Sequence, residues 1–348
     1  MMSLVVCLLA AWGAPELRGQ ERGFLTHFYY VNESTSWRSL QKNSNQIDLL
    51  SPNWFAVDAE GAVHSTLDPA VVKWAQQCEI ALMPLVVNQN FDPAISRALL
   101  GDKRKQRKVT EQLLALAAEH RFAGYELDFE QVAVKDRKRL SGFVERFSKE
   151  LRRRGLKLGI AVHAPLTKDE SSGAWVAAYA ARAFDYRKLA RHTDYLAVMS
   201  YDLHIQLSDP GPIASLPWME ACIRRLLQDV PREKLLLGLP FYHRRWNGHA
   251  VSEGSYLQAQ ALAEQWQARV ETDPVHREKT FAYRNGEGRN QVWYSDAGGL
   301  GERLAMARKY GLRGFSAWRL GQEDPAFWNV VLAPLTSARP RAASAPAR

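Results

Sequence analysis

The stretch FAGYELDFE, residues 122–130, decides how this chain folds and what chemistry it can perform. Glu126, Asp128 and Glu130 stand at alternate positions in it. Alternate residues of a β-strand share a face, at about 6.6 Å per two-residue step, so the three carboxylates point one way. Tyr125, Leu127 and Phe129 fill the opposite face. The apolar lead-in Phe122-Ala123-Gly124 and the helix-like flanks mark a strand buried on both sides, not an edge strand with a solvated acidic face. Burial and mutual repulsion favour keeping at least one of the carboxyls protonated, as a general acid requires near neutral pH.

Similar apolar runs recur outward from this stretch. FLTHFYYV (24–31), QIDLLSPNWFAV (46–57) and ALMPLVVN (81–88) precede it, and KLGIAVHAP (157–165), DYLAVMSYD (194–202), KLLLGLPFY (234–242) and GLRGFSAWRLG (311–321) follow. Helical patterns fit between several of them, including VTEQLLALAAEHR (109–121) and MEACIRRLLQDV (219–230). Residues 136–155 form an amphipathic helix with Leu140, Phe143, Val144, Phe147 and Leu151 as its apolar stripe and Gly155 as its C′ residue. Eight strand–helix repeats predict an α/β fold, a (β/α)8 TIM barrel over residues 23–335. A doubly wound open sheet competes less well, because no Gly-rich phosphate loop follows the first strand. Almost seventy residues separate Tyr242 from Gly311, and they include SYLQAQALAEQWQARV (255–270), KTFAYRN (279–285) and NQVWYSD (290–296). A small α+β insertion after strand seven, at about residues 244–308, is therefore expected beside the C-terminal rim.

The ends read differently. Residues 1–22 carry an apolar run of about a dozen residues, too short to span a bilayer, and small residues before Pro15. This leader looks like a secretory signal cleaved near Gly13 or Ala14, which predicts a secreted, periplasmic or cell-envelope protein. Residues 336–348, rich in Ala, Pro, Arg and Ser, read as a disordered tail. With Cys7 in the leader, Cys78 and Cys222 remain, as free thiols or one disulfide. No Cys/His spacing suggests a metal, and no cofactor is expected. The net charge of +9 suits an anionic partner, but much of it falls in GDKRKQRK (101–108) and on the polar face of the 136–155 helix. No nucleic-acid motif accompanies it, so nucleic acid is not expected to bind, and the chain is expected to be a monomer.

Polar residues gather at the C-terminal ends of the strand-like runs, where barrel enzymes place their active sites. They are Asn32 and Glu33, Asn88 and Asn90, Glu130, His163, Tyr201, Asp202 and His204, Tyr242 and His243, and Trp318 and Arg319.

These motifs resemble glycoside hydrolase family 18, the chitinase-like barrels. FAGYELDFE is similar to the family's DGxDxDxE signature, MSYD (199–202) to its strand-six segment, GLPFY (238–242) to its strand-seven segment, and Trp318 to the Trp that ends strand eight. YDLHIQLSDPGPIASLPW (201–218), QVWYSDAGGL (291–300) and GFSAWRLGQEDPAFW (314–328) look closest to one subgroup: spore-germination and cortex-lytic hydrolases, and barrels fused to polysaccharide deacetylase or glycosyltransferase domains. The resemblance spans about residues 23–330 and implies a glycosidase. Glu130 would be its general acid, Asp128 would orient the substrate's acetamido group, and Tyr201 would hydrogen-bond the acetamido oxygen. Glu126, Asp202, His204, Tyr242, Trp318 and Asn88 are the residues expected to bind substrate. Two positions depart from the signature: Ala123 replaces its first Asp and Glu126 its second. The implied partner is a polysaccharide of 2-acetamido sugars, namely peptidoglycan, exopolysaccharide or chitin. Export and positive charge favour an anionic envelope polymer among these. Two other readings compete, a lectin-like barrel without turnover and a metal site built from Glu126, Asp128, His163 and Asp202.

Overall fold

The computed structural model describes residues 23–165, 180–206, 208–248, 250–286 and 288–331, and the leader and tail lie outside them. Eight parallel strands follow one another around a closed sheet. They are β1 (Leu25–Tyr30), β2 (Leu49–Val57), β3 (Leu85–Asn88), β4 (Gly124–Asp128), β5 (Lys157–His163), β6 (Tyr195–Met199), β7 (Leu235–Pro240) and β8 (Gly314–Trp318). Pairing of β8 with β1, from Leu25 opposite Gly314 to Phe28 opposite Ala317, closes the ring. This is the (β/α)8 barrel read from the repeats. The run 81–88 is split, because Pro84 carries no N–H for a ladder. Ala81–Leu82 pairs with β2, and β3 resumes at Leu85.

Local sequence sets the helix starts. Asp-Pro-Ala occurs three times, and each Asp side chain accepts the Ala amide: Asp68 from Ala70 at 2.8 Å, Asp92 from Ala94 at 2.7 Å, and Asp324 from Ala326 at 2.9 Å. The Asp caps the orphan amides while Pro supplies the first helical φ. Helix Lys103–His120 begins six residues before the stretch its apolar period suggested. Its cap is Asp102, bonded to the Arg104 amide at 2.7 Å, so the basic run is the helix's first two turns. Helix Arg137–Arg152 buries the stripe expected of it. Beyond it Gly155, at φ +71°, turns the chain so that the Leu156 amide reaches the Leu151 carbonyl at 3.0 Å.

The strands' outward residues, Phe28, Tyr125, Leu127, Ile160 and Val198 among them, join the large core under the helices. Inward residues alternate with them. Leu25, Leu49, Met83, Ala123, Tyr195 and Leu236 form a separate apolar cluster inside the barrel. Ala123, where the signature has Asp, is thus part of an apolar floor. Cys78 and Cys222 are both free thiols. Among the described residues no helix is long and apolar enough to cross a membrane.

The insertion after β7 is a five-stranded antiparallel sheet in the order 250–255, 242–247, 288–294, 279–285, 271–272. Helix Tyr256–Gln265 covers one face, packing Ala259 and Ala263 on Phe281, Tyr283, Val292 and Tyr294. Ser255 and Gln258 start this helix with a reciprocal capping box. The following helix, Ala297–Lys309, packs against β7 and β8 as part of the barrel.

Gly159 shows how tightly the barrel interior is filled. It lies opposite Glu126 on β4 and Tyr195 on β6. A Cβ there would meet the Tyr195 ring at 2.3 Å. Gly159→Ala should therefore cost about 1–3 kcal/mol of stability, read by denaturant unfolding, because the ring cannot retreat from a full interior. Unchanged stability would contradict this packing.

Candidate active site

The deepest carboxylate is Glu126, fully buried inside the barrel. Its Oε1 accepts from the Tyr29 hydroxyl at 2.6 Å and its Oε2 from the Tyr195 hydroxyl at 2.7 Å. His27 Nε2 stands 3.6 Å from Oε2 and 2.8 Å from Ser51 Oγ. Burial pushes His27 down to about 3, so it is neutral and adds no cation. Burial raises Glu126 to about 7 against the opposing hydrogen bonds of Tyr29, Tyr195 and Ser51.

Two residues along β4, Asp128 reaches the floor of a cleft of about 720 Å³, well within the volumes of ligand sites. Its Oδ1 is buried and has no hydrogen-bond partner among the described residues. Burial, and then the Glu126 charge, lifts its pKa to about 7. Glu130 lies just beyond the strand end, and Asn88 holds its backbone. Asn88 Oδ1 accepts the Glu130 amide at 3.0 Å, and its Nδ2 donates to the Glu130 carbonyl at 3.2 Å. Burial raises the Glu130 carboxyl to about 8, with Asp128 and Asp202 adding repulsion.

Tyr29, Asp128, Glu130, Tyr201, Asp202, Tyr242 and Trp318 all line this cleft, as does His163. Trp318 is half-buried, 5.4 Å from the Tyr29 ring between centroids. The insertion supplies the adjoining wall. Arg244 on its first strand donates to Asp202 at 2.8 Å and to the His204 carbonyl at 2.6 Å, and is paired with Glu253 on the next strand. The Tyr242 hydroxyl also donates to Asp202, so a part-exposed carboxylate is fixed from two sides.

Three residues expected to bind substrate do not line the cleft. Glu126 lies beneath it with both oxygens occupied, and Asn88 is fully buried as a backbone clamp for Glu130. His204 turns its ring toward the Asp209 carbonyl, 2.9 Å from Nδ1, and over Gly211. Other rim residues serve structure as well. Asn32 bridges Trp54 Nε1 and the Thr66 carbonyl, Glu33 pairs with Arg319 at 2.9 Å, and His243 bonds the Ser255 carbonyl. Sequence reasoning missed Tyr29 and Tyr195. Polar atoms at inward positions of otherwise apolar strands were the available signal. It also missed Arg244 and Glu253, for which the hairpin fold of the insertion is needed. Among the described residues no group of three or more His, Cys, Asp or Glu is arranged to hold a metal ion.

Comparison with known proteins agrees with this fold. The family described as glycosyl hydrolases family 18 matches residues 30–323. An uncharacterized glycosylase, YvbX, of Bacillus subtilis is 24% identical over 319 residues, covering 88% of this chain and 90% of its own. A cortical fragment-lytic enzyme of the same organism is 26% identical over 70% of this chain, which spans only 57% of that protein. A chitinase from Chromobacterium violaceum superposes with a TM-score of 0.81 at 30% identity, over 88% of this chain and 98% of its own. The spore cortex-lytic enzyme SleL of Bacillus cereus shares the fold, with a TM-score of 0.80 at 19% identity over 89% and 74% of the two chains.

The burial of Glu126 has a measurable consequence for stability. Its carboxyl, raised from 4.5 to about 7, keeps its proton in the folded chain over a range where the unfolded chain has lost it. Stability from this group is present below about pH 4.5 and lost as pH rises toward 7. Glu126→Gln removes that titration. The fall in unfolding free energy between those pH values should be shallower in the variant than in wild type, and identical slopes would contradict the assignment.

Proposed function

This chain belongs to glycosyl hydrolase family 18 and is a glycosidase, and we propose that it cleaves β-linked N-acetylglucosamine-containing polysaccharide with retention, using the substrate's own acetamido group as nucleophile. The substrate classes are peptidoglycan, exopolysaccharide and chitin, reached in the periplasm, the cell envelope or outside the cell. The observation that carries the reading is that Glu130, buried so that its carboxyl is raised to about 8, shares one cleft with Asp128, Tyr201 and Trp318.

In the first step Glu130 gives its carboxyl proton to the glycosidic oxygen as the bond to the anomeric carbon breaks. The acetamido carbonyl oxygen attacks that carbon from the opposite face and closes an oxazolinium ring. This is the substrate-assisted exception among retaining glycosidases. Asp128 Oδ1, buried and unpaired, is the natural acceptor for the acetamido N–H. Its negative charge in a site shielded from water also stabilises the cation that develops. The Tyr201 hydroxyl donates to the acetamido oxygen, while Trp318 and the Asp202–Tyr242 pair hold the ring. Glu130, now a carboxylate, then takes a proton from water, which opens the oxazolinium from the first face. Two inversions give retention and return Glu130 to its acid form.

Glu130→Gln should lower kcat by about 10²–10⁴-fold while oligosaccharide binding survives, as measured by reducing-end release and calorimetry. Binding lost to the same extent would assign Glu130 to folding, and binding without product in the wild type would make the barrel a lectin. Because Glu130 acts in its protonated form, kcat/KM should decline as pH rises through about 8. A plateau extending well above that pH would contradict its role as the acid.

A further inference from the structure

The charge of the cleft is opposite to that of the chain. Among the described residues four acidic side chains line it, Asp128, Glu130, Asp202 and Glu253, together with one guanidinium, on Arg244. That guanidinium is committed. Nε and Nη2 donate to Glu253, Nη2 also to Asp202, and Nη1 to the His204 carbonyl. Four of its five N–H donors are engaged. His163, the other basic side chain among the described lining residues, is pushed down to about 4 by burial and stays neutral. Among its described residues the cleft therefore offers little to balance an anion. The chain's positive excess lies elsewhere, partly on exposed residues of the outer helices such as Lys103, Arg104, Arg107 and Lys138.

Glu253 stands apart from the other three carboxylates. It comes from the insertion strand Ala250–Ser255, it is half-exposed, and Arg244 binds its Oε1 alone. Its second oxygen can accept from a ligand at the cleft wall, away from the Asp128–Glu130 floor. Resting on the glycosidase reading above, we propose that Glu253 is a specificity residue that selects a partly de-N-acetylated glucosamine polymer, taking the ammonium of a free glucosamine unit while an acetylated sugar occupies the cleavage position. Carboxylate-bearing strands are disfavoured at the same place, since like charges meet there with no spare cation among the described residues. Attraction and repulsion act together, as specificity requires. The anionic envelope polymer suggested by net charge is thereby replaced by a neutral-to-cationic one.

The test uses the full chain and three preparations of β-linked N-acetylglucosamine oligomers: fully acetylated, partly de-N-acetylated, and carboxymethylated on the hydroxymethyl groups. Rates are measured for wild type and for Glu253→Gln, with mass analysis of the units flanking each cleaved bond and thermal melting to verify folding. Wild type should cleave the ammonium-bearing oligomers at least as well as the neutral ones and the carboxylated ones at least about five-fold more slowly. Free glucosamine should recur at a fixed distance from the cut. Glu253→Gln should reduce the ammonium-to-neutral ratio of kcat/KM about five-fold. Equal cleavage of carboxylated oligomers, random placement of glucosamine, or a ratio unchanged in a folded variant would overturn the proposal and leave the glycosidase reading intact. A folded wild type that cleaves none of the three would overturn that reading itself.

Discussion

A carboxylate sealed inside the barrel governs the rim above it. Glu126 has no water to solvate it, and two tyrosine hydroxyls, one from β1 and one from β6, take that role. Those hydrogen bonds reach across the interior and require strands that approach closely, which is why Gly159 stands opposite Glu126 and beneath the Tyr195 ring. The charge of Glu126 then adds to burial in raising Asp128, and Asp128 in turn adds to burial in raising Glu130. All three carboxyls are raised, to about 7, 7 and 8, and the last, at the cleft, is the one poised to give its proton away. The extra methylene of Glu126, relative to the Asp of the family signature, leaves both of its oxygens occupied by tyrosine hydroxyls and outside the cleft lining.

The insertion belongs to the same construction. Glu278, at the foot of one of its strands, accepts the amides of Ile213 and Ala214 at 2.8 and 2.9 Å from the loop after β6. Fully buried Arg303 ties that loop to helix Ala297–Lys309 through the Ala214 carbonyl, at 3.2 Å from Nε. Arg244 fastens the beginning of the same loop at Asp202 and His204. A segment that carries two cleft residues, Tyr201 and Asp202, is therefore held at both ends by the insertion and its following helix. Breaking one partner of such buried polar contacts leaves the other unsatisfied, so the arrangement is rigid.

Much of this was legible in the amino-acid sequence. The two-residue period of FAGYELDFE placed Glu126, Asp128 and Glu130 on one face, and that face does point into the barrel. Apolar runs of strand length with helical stripes between them specified the parallel closed sheet, because strands buried on both faces are predominantly apolar. Asp-Pro-Ala starts three helices by local chemistry, capping and a fixed φ, a signal that the reading of apolar periods passed over. Boundaries were less legible where a single residue overrides periodicity, as Pro84 does in β3 and Asp102 does before the basic helix.

What the sequence could not rank was the role of each polar residue at the rim. Asn88 and His204 stand at strand ends as Tyr201 and Trp318 do, yet one clamps a backbone and the other packs over a glycine. Arg244 and Glu253 became cleft residues only when a hairpin far along the chain folded over the barrel mouth. The sign of the cleft's charge follows the same rule. Composition counts every Lys and Arg alike, whereas the tertiary structure gathers Asp202 and Glu253 in the cleft around an Arg244 already paired with both. The sequence by itself determined the barrel and the row of acids, because the one rests on recurring strand and helix periods and the other on the two-residue period of a single strand. The tertiary structure decided which acid is buried, which is poised and which faces a ligand, because desolvation and charge proximity depend on neighbours distant along the chain.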